Sequence, residues 1–229
     1  MSTLKGIIFD FNGTLLWDTP YHNKAWNIFL KKYGISLSDK EIHENMHGKT
    51  NAEIFKYLFK RELEPQELEM FALEKEGIYR NLILRDNFQL QDKVTELFDY
   101  CLACAIPMSV ATSSDKENAD FFYRRYGFKK WFMPMRFVYN DYTFKSKPEP
   151  DIFFRAAARM FLNPKDIIVF EDSPSGIRAA EKFGAGQIVI VNSSNEDYSM
   201  YTHQIITNFE DAKRIIKFEI DDSRSKEWE

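Results

Sequence analysis

An aspartate closing a short apolar run is the first residue of this chain with an evident chemical use. Asp10 ends the run Gly6–Phe9, and Asn12 follows two places on. Similar run ends recur downstream. The run Pro107–Ala111 closes on Thr112, with Ser113 and Ser114 next. The run Ile167–Phe170 closes on Glu171 and Asp172, and Lys147 stands just before a proline-started segment. Carboxylates, hydroxyls and a lysine in these places suit phosphoryl transfer. A carboxylate can attack phosphorus to give an aspartyl-phosphate, splitting one hard step into two easier ones. Its charge repels an anionic substrate, so a cation must sit between them, and Mg²⁺ takes hard oxygen ligands and bridges phosphate oxygens. Asp10 and Asp172 would hold it. Lys147 would neutralise charge on nucleophile and phosphoryl group, and Thr112 would donate to a non-bridging oxygen. Residues i and i+2 of an extended chain project to the same side, so Asp10 and Asn12 flank one reacting centre while Phe11 turns away.

Bringing such distant residues together requires a particular order of elements. KGIIFD reads as a fully buried strand of a parallel sheet. The turn Asn12-Gly13-Thr14 follows, and from about Thr19 to Leu84 the pattern is helical almost throughout, with Pro20 and Pro65 at helix starts and Gly34 at a stop. After Asp86 helices and strands alternate. Helix VTELFDYCLACA leads to strand PMSVAT, helix KENADFFYRRYG and a short apolar piece, RFVYN. Helix DIFFRAAARMFL, strand DIIVFED, helix SGIRAAEKFG and strand QIVIVN follow, then a short strand HQIIT and a helix around FEDAKRIIKF. This alternation predicts an α/β fold: a Rossmann-like parallel sheet with right-handed crossovers and helices on both faces. The helical stretch lacks strands and reads as an inserted small α-helical cap over residues 17–85, leaving 1–16 and 86–229 as the catalytic core. Open parallel sheets bind ligands beyond the carboxyl ends of their strands, where the residues named above fall.

Bulk properties narrow the partners. The chain has 229 residues and a formal net charge of −4, without a long block of one sign, which disfavours nucleic acid as a partner. The first residues carry too short an apolar run for a signal peptide, and nothing reaches the ~18 apolar residues of a membrane span. A cytoplasmic monomer acting on a small molecule is expected, with no membrane partner. Cys101 and Cys104 form a C-x-x-C, but Val94, Leu97, Phe98, Cys101 and Leu102 share a helical stripe, and core packing is the simpler reading. His43-Glu44-Asn45-Met46-His47 matches H-E-x-x-H, a zinc-protease signature, yet Gly48 ends the helix at once and a third ligand is hard to supply, so chance is favoured.

DFNGTL, SVATSS, KSKPEPDIF and VFEDSPSGIRAAEKFGA, in that order, resemble the four motifs of the haloacid dehalogenase-like hydrolases. The likeness is greatest to the branch with a helical cap after the first motif, which includes β-phosphoglucomutase and many small-metabolite phosphatases. It runs from about residue 5 to residue 210. The resemblance implies that Asp10 is nucleophile and Mg²⁺ ligand, with the Asn12 backbone carbonyl and Asp172 as further ligands. It places Thr112, Ser113 and Lys147 on the phosphoryl group and Glu171 in support of the metal. Within the cap it points to His22 near the hinge, to the loop His47-Gly48-Lys49-Thr50-Asn51 that reaches substrate, and to Lys75. Mutases of this branch place an arginine where this chain has Asn51, which lacks the bidentate guanidinium suited to a second phosphate; Lys49 is the available cation.

One departure bears on mechanism. Phosphatases and mutases of the family usually carry a second aspartate where this chain has Asn12. That aspartate protonates the leaving oxygen, and general acid–base catalysis is typically worth ~10²–10⁴ in rate. An amide cannot do this. A cap group could supply the proton, the leaving group could need none, the protein could be a slow enzyme or a binder, or the asparagine could be an engineered substitution. The expectation is a Mg²⁺-dependent phosphatase of a small phosphorylated metabolite, a sugar phosphate among the candidates. A β-phosphoglucomutase-like isomerase and a catalytically impaired phosphometabolite-binding protein are the alternatives.

Overall fold

Short β-branched and aromatic runs alternate with amphipathic helices in the sequence, and the computed structural model, which describes residues 4–46 and 51–216, turns that alternation into one parallel sheet. His47 and Lys49 lie outside the described residues, as do the side chains of His43, Glu44 and Asn51. The strands are β1 (Gly6–Phe9), β2 (Met108–Ala111), β3 (Phe137–Val138), β4 (Ile167–Glu171), β5 (Gln187–Val191) and β6 (Gln204–Ile206). Their order is β3-β2-β1-β4-β5-β6, with every neighbouring pair parallel. β1 is therefore interior, and all four of its residues are buried. Covered faces explain its near-continuous apolar composition.

Register sets the level of the chemistry. Phe9 pairs with Val110 on one side and with Phe170 on the other. The residues one step beyond, Asp10, Ala111 and Glu171, thus emerge at one height from three adjacent strands. The ladder continues past the strand end: Asp10 N donates to Phe170 O at 2.9 Å, and Thr112 N to Val138 O at 2.9 Å.

Alternation along β1 directs successive side chains to different cores. Ile8 joins Ala111, Val169, Ile152, Phe153, Ala156 and Ala180 in one cluster. This cluster draws on α7 (Asp151–Met160) and α8 (Pro174–Phe183). Phe9 instead meets aromatics, its ring 5.5 Å from Phe98 and 5.1 Å from Phe170. Phe98 lies on α5 (Val94–Ala103) and also meets Phe128, Trp131 and Phe132. Cys101 shares this buried helix face, and burial pushes its thiol up to about 12, as a packed and unreactive cysteine requires. α6 (Lys116–Arg125) carries Phe122 against Phe11, ring centroids 4.4 Å apart.

The chain divides into two compact units, the second spanning Asp18–Phe88 and the first comprising the remainder. The second unit is helical: α1 (Thr19–Lys32), α2 (Asp39–Met46), α3 (Asn51–Phe59) and α4 (Pro65–Arg85). Pro20 and Pro65 stand in the first turns of α1 and α4. Trp26, Phe29, Leu30, Ile42, Ile54, Phe55 and Phe71 form a core of its own. Among the described residues no helix is long and apolar enough to cross a membrane.

Phe98 is fully buried, whereas Phe161, just beyond α7, is 90 % exposed. Phe98→Ala should cost about 3–5 kcal/mol, and Phe161→Ala should stay within about 0.5 kcal/mol. Urea midpoints of the two variants measure the difference.

Candidate functional site

Asp10 leaves the sheet at the end of β1 with its carboxylate 7 % exposed as a residue. The chain must then turn at once, because Leu15 N and Leu16 N both return to Phe11 O, at 2.9 and 3.0 Å. Gly13 makes that turn at a φ of +83°, and a Cβ there would stand 2.1 Å from Asp172 Oδ2. Glycine is thus required twice, by backbone conformation and by the carboxylate alongside. Thr14 follows, fully buried, and its Oγ1 donates to Asp172 Oδ1 at 2.9 Å.

Lys147 organises the acids. Its Nζ donates to Asp10 Oδ1 at 2.6 Å, to Glu171 Oε1 at 2.5 Å and to Ala111 O at 3.3 Å, which occupies all three N–H groups of an ammonium. Burial works against its charge, but the charges and hydrogen bonds of Asp10 and Glu171 prevail and hold its pKa above the ordinary lysine range. The other oxygen of Glu171, Oε2, accepts from Asp172 N at 2.8 Å, Ser173 N at 2.9 Å and Ser173 Oγ at 3.1 Å. Ser173 caps α8 through Gly176 N at 3.0 Å. A Cβ on Gly176 would lie 1.7 Å from Glu171 Oε1, so the first turn of α8 is shaped around this buried carboxylate. Negative charge at a helix N-terminus is favourable in itself.

Asp172 has less compensation. Burial first, and then the neighbouring Glu171 and Asp10, push its pKa well up, with the Thr14 hydrogen bond and Lys147 acting in the opposite direction. The Tyr198 hydroxyl donates to its backbone carbonyl. Asp10, Glu171 and Asp172 each offer an oxygen, all within 4.8 Å of one another. The residues fit a hard divalent cation on two grounds: the donors are oxygens, and their mutual repulsion is the kind a cation relieves. Asp10 and Asp172 are the better donors, since both Glu171 oxygens already accept from nitrogen. Glu171 holds the lysine and the α8 turn in place.

On the other flank, Thr112 and Ser114 face Asn12. Asn12 Oδ1 accepts from Ser114 Oγ at 2.8 Å and from Thr112 Oγ1 at 3.4 Å, while Thr112 Oγ1 accepts from Ser114 N at 3.1 Å. Ser113 is exposed and lines a narrow cleft with Asn140, Phe144, Ser146 and Lys147. The structure thus gathers Asp10, Asn12, Thr112, Lys147, Glu171 and Asp172, with Ser113 at the edge. Thr14 and Ser114 received no role in the sequence reading. Ser114 carried a signal, being two places from Thr112 on an extended segment. Thr14 carried none, because only the tight turn points its hydroxyl at Asp172.

His22 and Lys75 belong to the helical unit and meet each other there. Lys75, 4 % exposed, has its Nζ 2.9 Å from His22 Nδ1 and donates to Glu76 Oε1 at 2.8 Å. His22 Nε2 lies 3.4 Å from Asp18 Oδ2, its ring is stacked 4.0 Å from that of Tyr79, and the Tyr79 hydroxyl donates to Asp18. Lys75 is therefore a buried cation with partners inside its own unit.

The raised pKa of Asp172 has a consequence for stability. Its protonated form favours the fold below the ordinary carboxylate range, and that contribution disappears as pH rises through the raised value. In metal-free buffer, Asp172→Asn should therefore raise the melting temperature at pH 8 and change it little at pH 4. A melting temperature at pH 8 equal to or below that of the unaltered chain would show that Asp172 is adequately compensated.

With this geometry in hand, relatives are informative. A family model described as haloacid dehalogenase-like hydrolase matches residues 7–190. A fructose-1-phosphate phosphatase of Escherichia coli is 32% identical over 78% of this chain and 92% of its own length. A phosphorylated carbohydrates phosphatase of Thermotoga maritima is 28% identical over 84% of this chain and 88% of its own. A crystal structure of a HAD hydrolase, family IA, variant 3, from Entamoeba histolytica superposes with a TM-score of 0.88 at 31% identity, covering 96% of this chain and 100% of that one. Sheet order, strand-end acids and these matches agree, and the chain belongs to the haloacid dehalogenase-like hydrolases.

Proposed function

We propose that this protein is a Mg²⁺-dependent phosphatase of a small phosphorylated metabolite, with Asp10 as nucleophile and the unit Asp18–Phe88 as its cap. The observation that carries the reading is the Lys147 bridge from Asp10 to Glu171, with the Asp172 carboxylate close by. It gives one carboxylate an adjacent cation and leaves acids to hold a metal. Two relatives are phosphatases of phosphorylated sugars, which puts sugar phosphates on the panel of compounds to test. The mixed charge pattern, without a long block of one sign, fits a small-molecule partner better than nucleic acid.

The steps follow from the residues. The Asp10 carboxylate, oriented by Lys147, attacks phosphorus. Mg²⁺, held by Asp10, Asp172 and the Asn12 carbonyl, would supply charge neutralisation for the phosphoryl group. Lys147 and the Thr112 and Ser113 hydroxyls bind phosphoryl oxygens, and Glu171 fixes Lys147. Water then cleaves the aspartyl-phosphate and restores Asp10. By the family resemblance, His22, Lys75, His47 and Lys49 would be the cap's contribution to binding substrate. Isomerase activity is less well supported, because Asn12 cannot carry a proton on and off a sugar hydroxyl and Asn51 is a poor phosphate ligand.

A panel of phosphorylated metabolites, assayed for phosphate release with excess Mg²⁺, tests this. Asp10→Asn should abolish release, Lys147→Met should lower it by roughly 10²–10³, and chelation should silence the enzyme until Mg²⁺ is restored. Mg²⁺-dependent binding with residual turnover indifferent to Asp10→Asn would identify a binding protein instead. Conversion of a sugar phosphate without phosphate release would identify an isomerase.

A further inference from the structure

Asn12 is held in one orientation. Its Oδ1 receives hydrogen bonds from Ser114 Oγ at 2.8 Å and Thr112 Oγ1 at 3.4 Å, from two hydroxyls of the β2 end. The oxygen end of the amide is thereby engaged by those two hydroxyls. A carboxamide NH₂ donates hydrogen bonds but does not give up a proton at ordinary pH. Asn12 can therefore steady a leaving oxygen without protonating it.

Neighbouring side chains do not make good the lack. The three N–H groups of Lys147 are directed to Asp10, Glu171 and Ala111 O. Glu171 Oε2 accepts from two backbone amides and a hydroxyl, and Oε1 accepts from Lys147. In the helical unit both nitrogens of His22 are taken up internally, by Lys75 and Asp18, and Lys75 also serves Glu76. Among the described residues, Lys147, Glu171, His22 and Lys75 are thus each engaged in other hydrogen bonds.

We propose that this site acts on phosphates whose leaving group departs as a stable anion, an acyl phosphate or the ester of a similarly acidic hydroxyl, rather than on alkyl monoesters. The inference rests on Asp10 being the nucleophile and narrows the substrate class of that same site. An Asp10 oxygen bonds to phosphorus as the bond from phosphorus to the acyl oxygen breaks. The electron pair of that bond leaves with the carboxylate product, which needs no proton. Water then attacks phosphorus, the bond to Asp10 breaks, and its electron pair restores the Asp10 carboxylate while the water's proton passes to phosphate or solvent. No base in the Asn12 position assists that water, so hydrolysis of the aspartyl-phosphate limits turnover and the adduct accumulates.

The test is a donor series with the full chain and excess Mg²⁺: acetyl phosphate, 4-nitrophenyl phosphate, phenyl phosphate, and the alkyl esters glycerol phosphate and fructose 1-phosphate. Phosphorylation rates in single turnover and the intact mass after acid quench are the readouts. The expected result is a fall of at least about 10²-fold from acidic to alkyl leaving groups, with a phosphoryl adduct on Asp10 seen only with the former. Asn12→Asp should raise the alkyl rates by about 10²–10⁴ and shorten the life of the adduct. A flat series in the unaltered chain overturns the inference by itself, even if Asn12→Asp fails to fold. So does a flat series that becomes steep in His22→Gln or His47→Gln, which would reveal a cap acid. Absence of both adduct and phosphate release from every donor would sink the Asp10 nucleophile, and the inference with it.

Discussion

A buried ammonium between buried carboxylates is the constraint on which the rest of this structure depends. Taking Lys147, Asp10 and Glu171 out of water singly would be costly, and removing one partner of such a set leaves an uncompensated charge inside the protein. Together they satisfy one another at 2.5–2.6 Å. The arrangement requires three segments far apart in sequence to arrive at one point, and the parallel sheet makes that possible. Compensation is still incomplete, because Asp172 adds another carboxylate oxygen within 4.8 Å of those of Asp10 and Glu171. The cluster is left with an excess of acid over base, the imbalance expected where a divalent cation belongs.

Sheet and cluster are linked through register. Phe9 opposite both Val110 and Phe170 brings Asp10 and Glu171 out side by side, and a slip by one residue would send their side chains to opposite faces. The aromatic packing of Phe9 on Phe98 and Phe170 and the aliphatic packing of Ile8 on the other face both resist such a slip. The same hydrophobic pattern that drives folding therefore also aligns the acids. Gly13 and Gly176 add close approach where a side chain would collide with Asp172 or Glu171.

Asn12 shows how far a shared scaffold leaves chemistry open. Its neighbours are arranged as the family resemblance leads one to expect, yet the residue itself lacks the proton that most phosphatases of this kind carry there. The hydroxyls of Ser114 and Thr112 donate to its amide oxygen, as they could to a carboxylate oxygen in the same place. Substitution at this position changes the proton inventory while the geometry persists, which is why family membership alone does not name the substrate.

Much of this was legible in the sequence. Apolar runs of four to five residues alternating with amphipathic helices reveal a parallel α/β sheet, because hydrophobic periodicity is a local property written residue by residue. The acids at run ends were legible too, since strands of such a sheet must deliver their carboxyl ends to one edge. What the sequence could not decide is pairing. That Lys147 bridges Asp10 to Glu171, that Thr14 serves Asp172, and that Ser114 rather than Ser113 grips Asn12 depend on turns, registers and rotamers settled by packing across more than a hundred residues of chain. Lys75, which reads as a solvated helix charge unless the family is invoked, lies buried against His22 for the same reason: its surroundings come from another helix. Local pattern determines which elements form; burial of charge against charge is a property of the assembled fold alone.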